Sequence, residues 1–264
     1  MILGYSLPDY LDFGLKLPRR ISFGNSLSSV LITGKSGSGK SLSLGWCVFQ
    51  LLKNCESYVY IADYKGGAEY EAFEGSPSYA SGSQAFDMID GYYQFFSLVR
   101  DRHIRLNTHF TLVIEEYFGL LTYAETQSKK LKAEIMAKIG EILAVGRGLN
   151  IGLIICVQRA DASLFASGSR EQFQAIIAFG RTSAEHFRML GFSSELEENP
   201  TGSYKAGQAL CLIDGQGKPF EVIVPYITNQ QDMATFTRYM LDRQASLAEL
   251  IRTHGEAGRA EQSG

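Results

Sequence analysis

Residues 29–46 are SVLITGKSGSGKSLSLGW: an apolar, β-branched run, a loop of glycine, serine and lysine, then apolar residues again. Gly34, Gly39, Lys40 and Ser41 stand at the G-x-x-x-x-G-K-[ST] spacing. Glycines at these points let the backbone curl tightly enough for several consecutive N–H groups to face one phosphate, and the first turn of a following helix adds the positive end of its dipole. Gly34, Lys35, Ser36, Gly37, Ser38, Gly39, Lys40 and Ser41 are therefore the expected cradle for the phosphates of ATP. Lys40 is expected to reach the β and γ phosphates, and Ser41 to offer its hydroxyl to Mg2+. A glycine-rich turn that holds Lys-Ser by chance is the competing interpretation. The buried strand before the loop and the helix after it weigh against that interpretation.

Strand and helix signals alternate on both sides of this loop. Candidate strands cover residues 29–33, 58–62, 110–115, 151–157, 175–179, 209–213 and 220–225. The first five are short and apolar on both faces, as buried parallel strands are. Between them, Leu131, Ile135, Ile139, Ile142 and Leu143 recur at three- and four-residue steps and form one buried helical stripe. Each parallel connection needs a crossover long enough for a helix, so the pattern predicts an α/β three-layer sandwich with a mainly parallel central sheet. The DGQGK stretch after residue 213 predicts a hairpin at the sheet edge. Met233, Phe236, Met240, Leu247 and Ile251 fall on roughly one face, which predicts a single closing helix over 229–253. The expected organisation is a lead-in segment over 1–28, a core domain over 29–228, that helix, and a disordered polar tail over 254–264.

With 264 residues, 45% hydrophobic and 20% charged, the chain has enough apolar surface for one large domain or two small ones. A net charge of -3 excludes a uniformly basic face and leaves a local basic lining open. Cys47, Cys55, Cys156 and Cys211 are widely spaced, with no CxxC pair and no histidines at ligand spacing, so reduced thiols are expected in place of a zinc site or disulfide framework. Pro8, Asp9 and Asp12 interrupt the segment where a leader peptide needs apolar continuity, and no window approaches eighteen apolar residues. A cytoplasmic protein is expected, without direct membrane insertion and reaching a membrane only through a partner.

Hydrolysis of a bound nucleotide needs an acid at the end of a neighbouring buried strand. FTLVIEEYFGLL delivers Glu115 and Glu116 there. Glu115 is assigned to the Mg2+ shell and Glu116 to general-base or water-positioning work, against the alternative of two solvated acids. The apolar run 151–157 delivers Gln158 to the carboxyl end of another strand, the edge where open α/β sheets bind ligands. A neutral amide there can hydrogen-bond a γ phosphate or the attacking water, although a glutamine after a strand is often only a loop residue.

These segments together resemble the motor domain of the FtsK/SpoIIIE/HerA branch of P-loop ATPases. LITGKSGSGKS resembles its Walker A motif and LVIEEYFGL its Walker B; VYIADYKGGAEYEAFEG resembles its second strand, with Asp63 and Lys65 in a D-x-K arrangement. ILAVGRGLNIGLIICVQRADAS is the most specific match, and AIIAFGRTSAEHFRMLG and GQALCLIDGQGKPFEVIVPYI resemble the last core strand and closing hairpin. The resemblance spans about residues 27–228. It implies a RecA-like P-loop NTPase fold, ATP hydrolysis, a homo-oligomeric, hexameric ring, and pumping of DNA through a central pore. Conjugative transfer with a relaxase or membrane-channel partner is the implied setting. The same branch also implies alternatives, namely protein secretion, viral DNA packaging, or a nucleotide-binding assembly subunit with little turnover. It further implies an arginine supplied to the neighbouring subunit's nucleotide, for which Arg147 and Arg181 are the candidates. Three departures stand out: Glu115 replaces the usual Asp, Ala160 stands where the branch has Pro, and the chain resembles a bare motor with no membrane segment or winged-helix module.

Lys129, Lys130, Lys132, Ser169 and Arg170 are candidates to track a phosphate backbone, with a polar helix face as the alternative for the lysines. Trp46, Phe49 and Leu52 are expected in the core in preference to a base-stacking platform, and Tyr92, Tyr93, Phe95 and Phe96 in the core or at a subunit interface.

Overall fold

The computed structural model describes residues 1–24, 27–166, 168–180, 183–192, 204–225 and 227–261. The segment before the phosphate loop forms β1 (Ile2–Ser6), α1 (Leu7–Phe13) and β2 (Pro18–Arg20). Strands β3 (Val30–Gly34), β4 (Ser57–Asp63), β5 (Tyr79–Ser81), β6 (His109–Glu115), β7 (Ile151–Val157) and β8 (Ala175–Phe179) follow. Helices α2 (Lys40–Lys53), α3 (Gln84–Asp101), α4 (Tyr117–Gln127) and α5 (Lys129–Val145) connect them, and α6 (Ala184–Met189) follows β8. The chain continues through β9 (Gln208–Ile213), β10 (Phe220–Ile223), α7 (Gln230–Arg243) and α8 (Leu247–Glu261).

Among the described residues these strands make one ten-stranded sheet in the order β2-β1-β10-β9-β8-β3-β7-β6-β4-β5. Pairing is parallel from β8 through β3, β7, β6 and β4 to β5, and antiparallel from β8 outward through β9, β10, β1 and β2. Every residue of β3, β6 and β7 is buried, as the continuous apolar runs predict. Two apolar clusters lie on the two faces of the sheet, one including Leu31, Tyr92, Phe95, Ile139 and Leu153, the other Ile32, Leu44, Val48, Ile154 and Leu241. Fully burying such a side chain contributes roughly 1.5–3 kcal/mol, so the three-layer sandwich is held by its sheet-to-helix contacts. Leu52, Tyr92, Phe95 and Phe96 are buried in this core; Trp46 and Phe49 pack with Phe236 against α7.

Three features depart from the sequence expectations. The lead-in segment is built into the sheet as β1 and β2, so the expected hairpin β9-β10 forms but has two further strands outside it. The single closing helix is broken into α7 and α8. Ser246 Oγ accepts from Glu249 N at 3.3 Å while Glu249 Oε2 accepts from Ser246 N at 2.8 Å, a reciprocal capping box that starts a new helix inside the periodic stripe. The break is pinned to β4: Gln244 Oε1 accepts from Val59 N at 3.1 Å and Tyr60 donates its hydroxyl to Ala245 O at 2.6 Å, serving a strand edge that short β5 leaves open. Helix α8 then continues through His254 to Glu261, where the polar composition predicted a disordered tail. Among the described residues no helix is long and apolar enough to cross a membrane.

Candidate active site

Strand β7 lies between β3 and β6, and all three run parallel, so Gly34, Glu115 and Gln158 emerge at one carboxyl edge of the sheet. Asp63 sits opposite Glu115 at the same edge. Gly34 is required by close approach: a Cβ there would meet Phe179 O at 2.5 Å. Gly39, at φ 94°, opens α2 in a left-handed conformation, and a Cβ would meet Gly207 N at 2.8 Å. The loop is braced from outside by Gly207 N, which donates to Ser38 O at 2.9 Å. Lys40 is only 8% exposed, and its ammonium donates to Lys35 O at 3.1 Å across the mouth of the loop. The first amides of α2 have no carbonyl in their own helix to serve, which leaves them for a phosphate.

Ser41 Oγ donates to Glu115 Oε1 at 2.9 Å. Glu115 is 3% exposed, and its Oε2 is buried with no hydrogen-bond partner. Burial pushes its carboxyl up to about 7, against the pull of hydrogen bonds from Ser41 and Cys156 and of the Lys40 charge, with Asp63 adding a raising contribution. An orphaned carboxylate oxygen beside a serine hydroxyl is a hard-oxygen pair of the sort Mg2+ accepts while keeping waters and phosphate oxygens, so these two residues fit the ion. The raised value has a consequence for stability. Folded Glu115 titrates near 7 against a usual 4.5, so the folded state holds the extra proton and stability falls as pH rises between those values, by up to about 3 kcal/mol. Urea unfolding at pH 5 and pH 8 without metal or nucleotide is expected to show this loss, and Glu115→Gln to remove most of it. An identical pH dependence in the two proteins would contradict it.

Glu116 stands at φ 55°, ψ 48°, the left-handed region that costs a non-glycine residue on the order of 1 kcal/mol. That conformation ends β6 and starts α4 in one residue. It brings the Glu116 carboxylate to Gln158, whose Nε2 donates to Glu116 Oε1 at 3.5 Å. Thr33 Oγ1 donates to Gln158 O at 3.4 Å, tying that residue to the end of β3. Lys40, Ser41, Glu115, Glu116 and Gln158 therefore lie together at one edge of the sheet.

Arg147 does not join them. Arg147 is exposed in the turn before β7, at the amino edge of the sheet, roughly 20 Å from Gln158 by the length of a seven-residue strand. Arg181 lies outside the described residues. Lys130 pairs with Glu134 at 3.5 Å along α5, and Lys132 reaches back to Glu125 of α4 at 2.8 Å. Ser169 is buried, and Arg170 donates to Ala160 O at 3.2 Å.

Sequence reasoning left several neighbours of the site without roles. The Asp63 carboxylate accepts from the N–H groups of Lys65, Gly66 and Gly67, each at 3.1 Å, and from the Tyr79 hydroxyl at 3.0 Å. It therefore shapes the loop after β4. That loop carries Glu69, which pairs with Lys65 at 3.3 Å; although burial opposes it, its own amide and the Lys65 ammonium hold its carboxyl below the usual range, with Ser41 close by. A third carboxylate thus borders Ser41, and nothing in its sequence context marks it. Cys156 is buried under the site, close to Glu115. Ala160 N donates to His186 Nε2 at 3.2 Å, a bond that proline at this position could not make.

With this geometry in view, similar solved structures are informative about the fold. No family model matches the sequence, and no curated protein does. The conjugation coupling protein TcpA of pCW3, solved with ATPγS, is 19% identical at a TM-score of 0.60, covering 82% of this chain and 65% of its own. The cytoplasmic domain of the type VII secretion ATPase EccC from Thermomonospora curvata is 16% identical at a TM-score of 0.65, covering 95% of this chain and 32% of its own. At this level of identity the likeness is one of fold. The genome packaging NTPase of Sulfolobus turreted icosahedral virus 2, solved with AMPPCP, is 20% identical at a TM-score of 0.55, covering 76% of this chain and 99% of its own. This chain thus spans about two-thirds of the coupling protein and one third of the EccC cytoplasmic domain, and the packaging NTPase is matched over nearly its whole length by three-quarters of this chain.

Proposed function

We propose that this chain is an ATP-hydrolysing motor subunit that moves DNA, in conjugative or mobile-element transfer. The observation that carries the hydrolytic reading is the convergence of Lys40, the Ser41–Glu115 pair and the Glu116–Gln158 pair around one phosphate-shaped loop. Lys40 and the α2 amides hold the β and γ phosphates. Glu116 accepts a proton from the attacking water, and the Gln158 amide orients that water between carboxylate and γ phosphate. Ser41 and Glu115 would hold Mg2+, which neutralises charge on the β and γ oxygens when bound. Arg147 lies at the far edge of its own sheet, which supports a role toward a neighbouring subunit's nucleotide in a homo-oligomeric ring of hexameric type.

DNA as cargo is supported by the likeness to a coupling protein and a genome packaging NTPase. Protein cargo is the second reading, favoured by the likeness to EccC over 95% of this chain and by the net charge of -3. A relaxase or a membrane-channel protein would be the partner in the first case.

The test is ATP turnover measured across protein concentration, with and without double-stranded and single-stranded DNA. Turnover is expected to rise steeply with concentration, because the completing arginine arrives from a neighbour, and to rise further with DNA. Turnover per chain that is flat in concentration would oppose the ring. Stimulation by a cargo peptide and not by DNA would favour the secretion reading.

A further inference from the structure

A cavity of about 480 Å3 opens off the first turn of α2, on the flank opposite the carboxylates. Leu42 and Ser43 line its inner side; Tyr5, Tyr10 and Lys16 from the N-terminal arm close it, with Pro225 beyond β10. The sheet order fixes this placement. From β3, the strands β7 and β6 that carry Gln158 and the two glutamates lie one way, and β8, β9, β10 and β1 lie the other. A triphosphate laid along the loop with its terminal phosphate at Glu116 and Gln158 therefore leaves over Leu42 and Ser43, into the cavity.

Building on the proposed ATPase reading of the loop, we infer that this cavity is the nucleobase and ribose site, with a purine ring laid against Tyr10 and the Lys16 ammonium at its polar edge. Its volume falls in the range of small-ligand pockets. No carboxylate is among the described residues that line it. Tyr10 is 37% exposed, an aromatic face left open beside the cavity, and stacking on such a face suits any flat base. The walls are formed in advance. Tyr5 of β1 pairs with Ile223 of β10, Gly4 lies so close to that strand that a Cβ would meet Ile223 O at 2.6 Å, and Trp46 Nε1 donates to Ile2 O at 2.8 Å. The N-terminal arm, built into the sheet by these bonds, thus supplies one wall of the nucleotide site and ties base recognition to α2 through Trp46.

The test is calorimetric titration of the wild type, Tyr10→Ala, Tyr10→Phe and Lys16→Ala with ATP and, separately, with tripolyphosphate. The wild type is expected to bind ATP at least about tenfold more tightly than tripolyphosphate. Tyr10→Ala is expected to weaken ATP about tenfold and leave tripolyphosphate unchanged, Tyr10→Phe to keep full affinity, and Lys16→Ala to lose ATP affinity several-fold. Both positions are exposed, and melting curves establish that the variants fold; should Tyr10→Ala fail to fold, Lys16→Ala decides. Equal affinity of the wild type for the two ligands, or equal weakening of both by the variants, would overturn the base site while leaving the phosphate loop in place. Binding of neither ligand by the wild type would overturn the phosphate-loop reading and the base site together.

Discussion

Lys40→Ala is expected to lower ATP turnover by at least about a hundredfold, the scale seen when a preorganised donor is removed from a site of developing negative charge. The side chain is almost fully enclosed, so its ammonium acts in a medium less screened than water. It also helps hold Glu115 ionised, since its charge is one of the influences pulling that carboxyl down. The alanine variant therefore loses the phosphate contact and leaves Glu115 more protonated. Lys40→Arg is expected to fail as well, because a planar guanidinium cannot replace a compact ammonium folded over the loop. Steady-state turnover with a melting curve for each variant checks this. Turnover within a few-fold of wild type in a folded Lys40→Ala protein would remove the site assignment.

The second large effect is expected at Glu116. Glu116→Gln keeps the size of the side chain and a hydrogen bond to Gln158 but cannot accept a proton from water, so turnover should fall about 10²- to 10⁴-fold while ATP binding persists. Mixing the variant with a single equivalent of ATP and following the nucleotide over hours reads this directly: the triphosphate should stay bound and intact. Glu116→Gly separates structure from chemistry. Because Glu116 pays for a left-handed backbone, glycine there should raise stability by on the order of 1 kcal/mol while abolishing turnover. A Glu116→Gln protein that hydrolyses ATP normally would transfer the general-base role elsewhere, with Glu69 and Glu115 the nearest carboxylates.

Much of the site was legible because P-loop chemistry is local. GKSGSGKS needs its glycines at fixed offsets, and EE and Q need only follow apolar runs long enough to be buried strands. Glu69 was not legible, because it reaches Ser41 only through a loop that Asp63 organises by accepting three backbone amides. The break in the closing helix is hidden in the sequence because apolar periodicity survives three intervening residues, although the S-x-x-E of Ser246 and Glu249 signals it. The N-terminal segment reads as a lead-in from sequence because its strands are short and one of them is wholly exposed, so neither carries a clear burial pattern.

The sequence by itself determined the phosphate loop, the parallel α/β sandwich and the residues at the ends of β3, β6 and β7, since each follows from short-range spacing and from apolar runs with one period. Only the tertiary structure decided that β7 stands between β3 and β6, that Arg147 lies at the far edge from the loop, and that the N-terminal arm closes a cavity beside α2. Strand order and the meeting of distant segments depend on which faces bury each other, and spacing along one chain does not encode that.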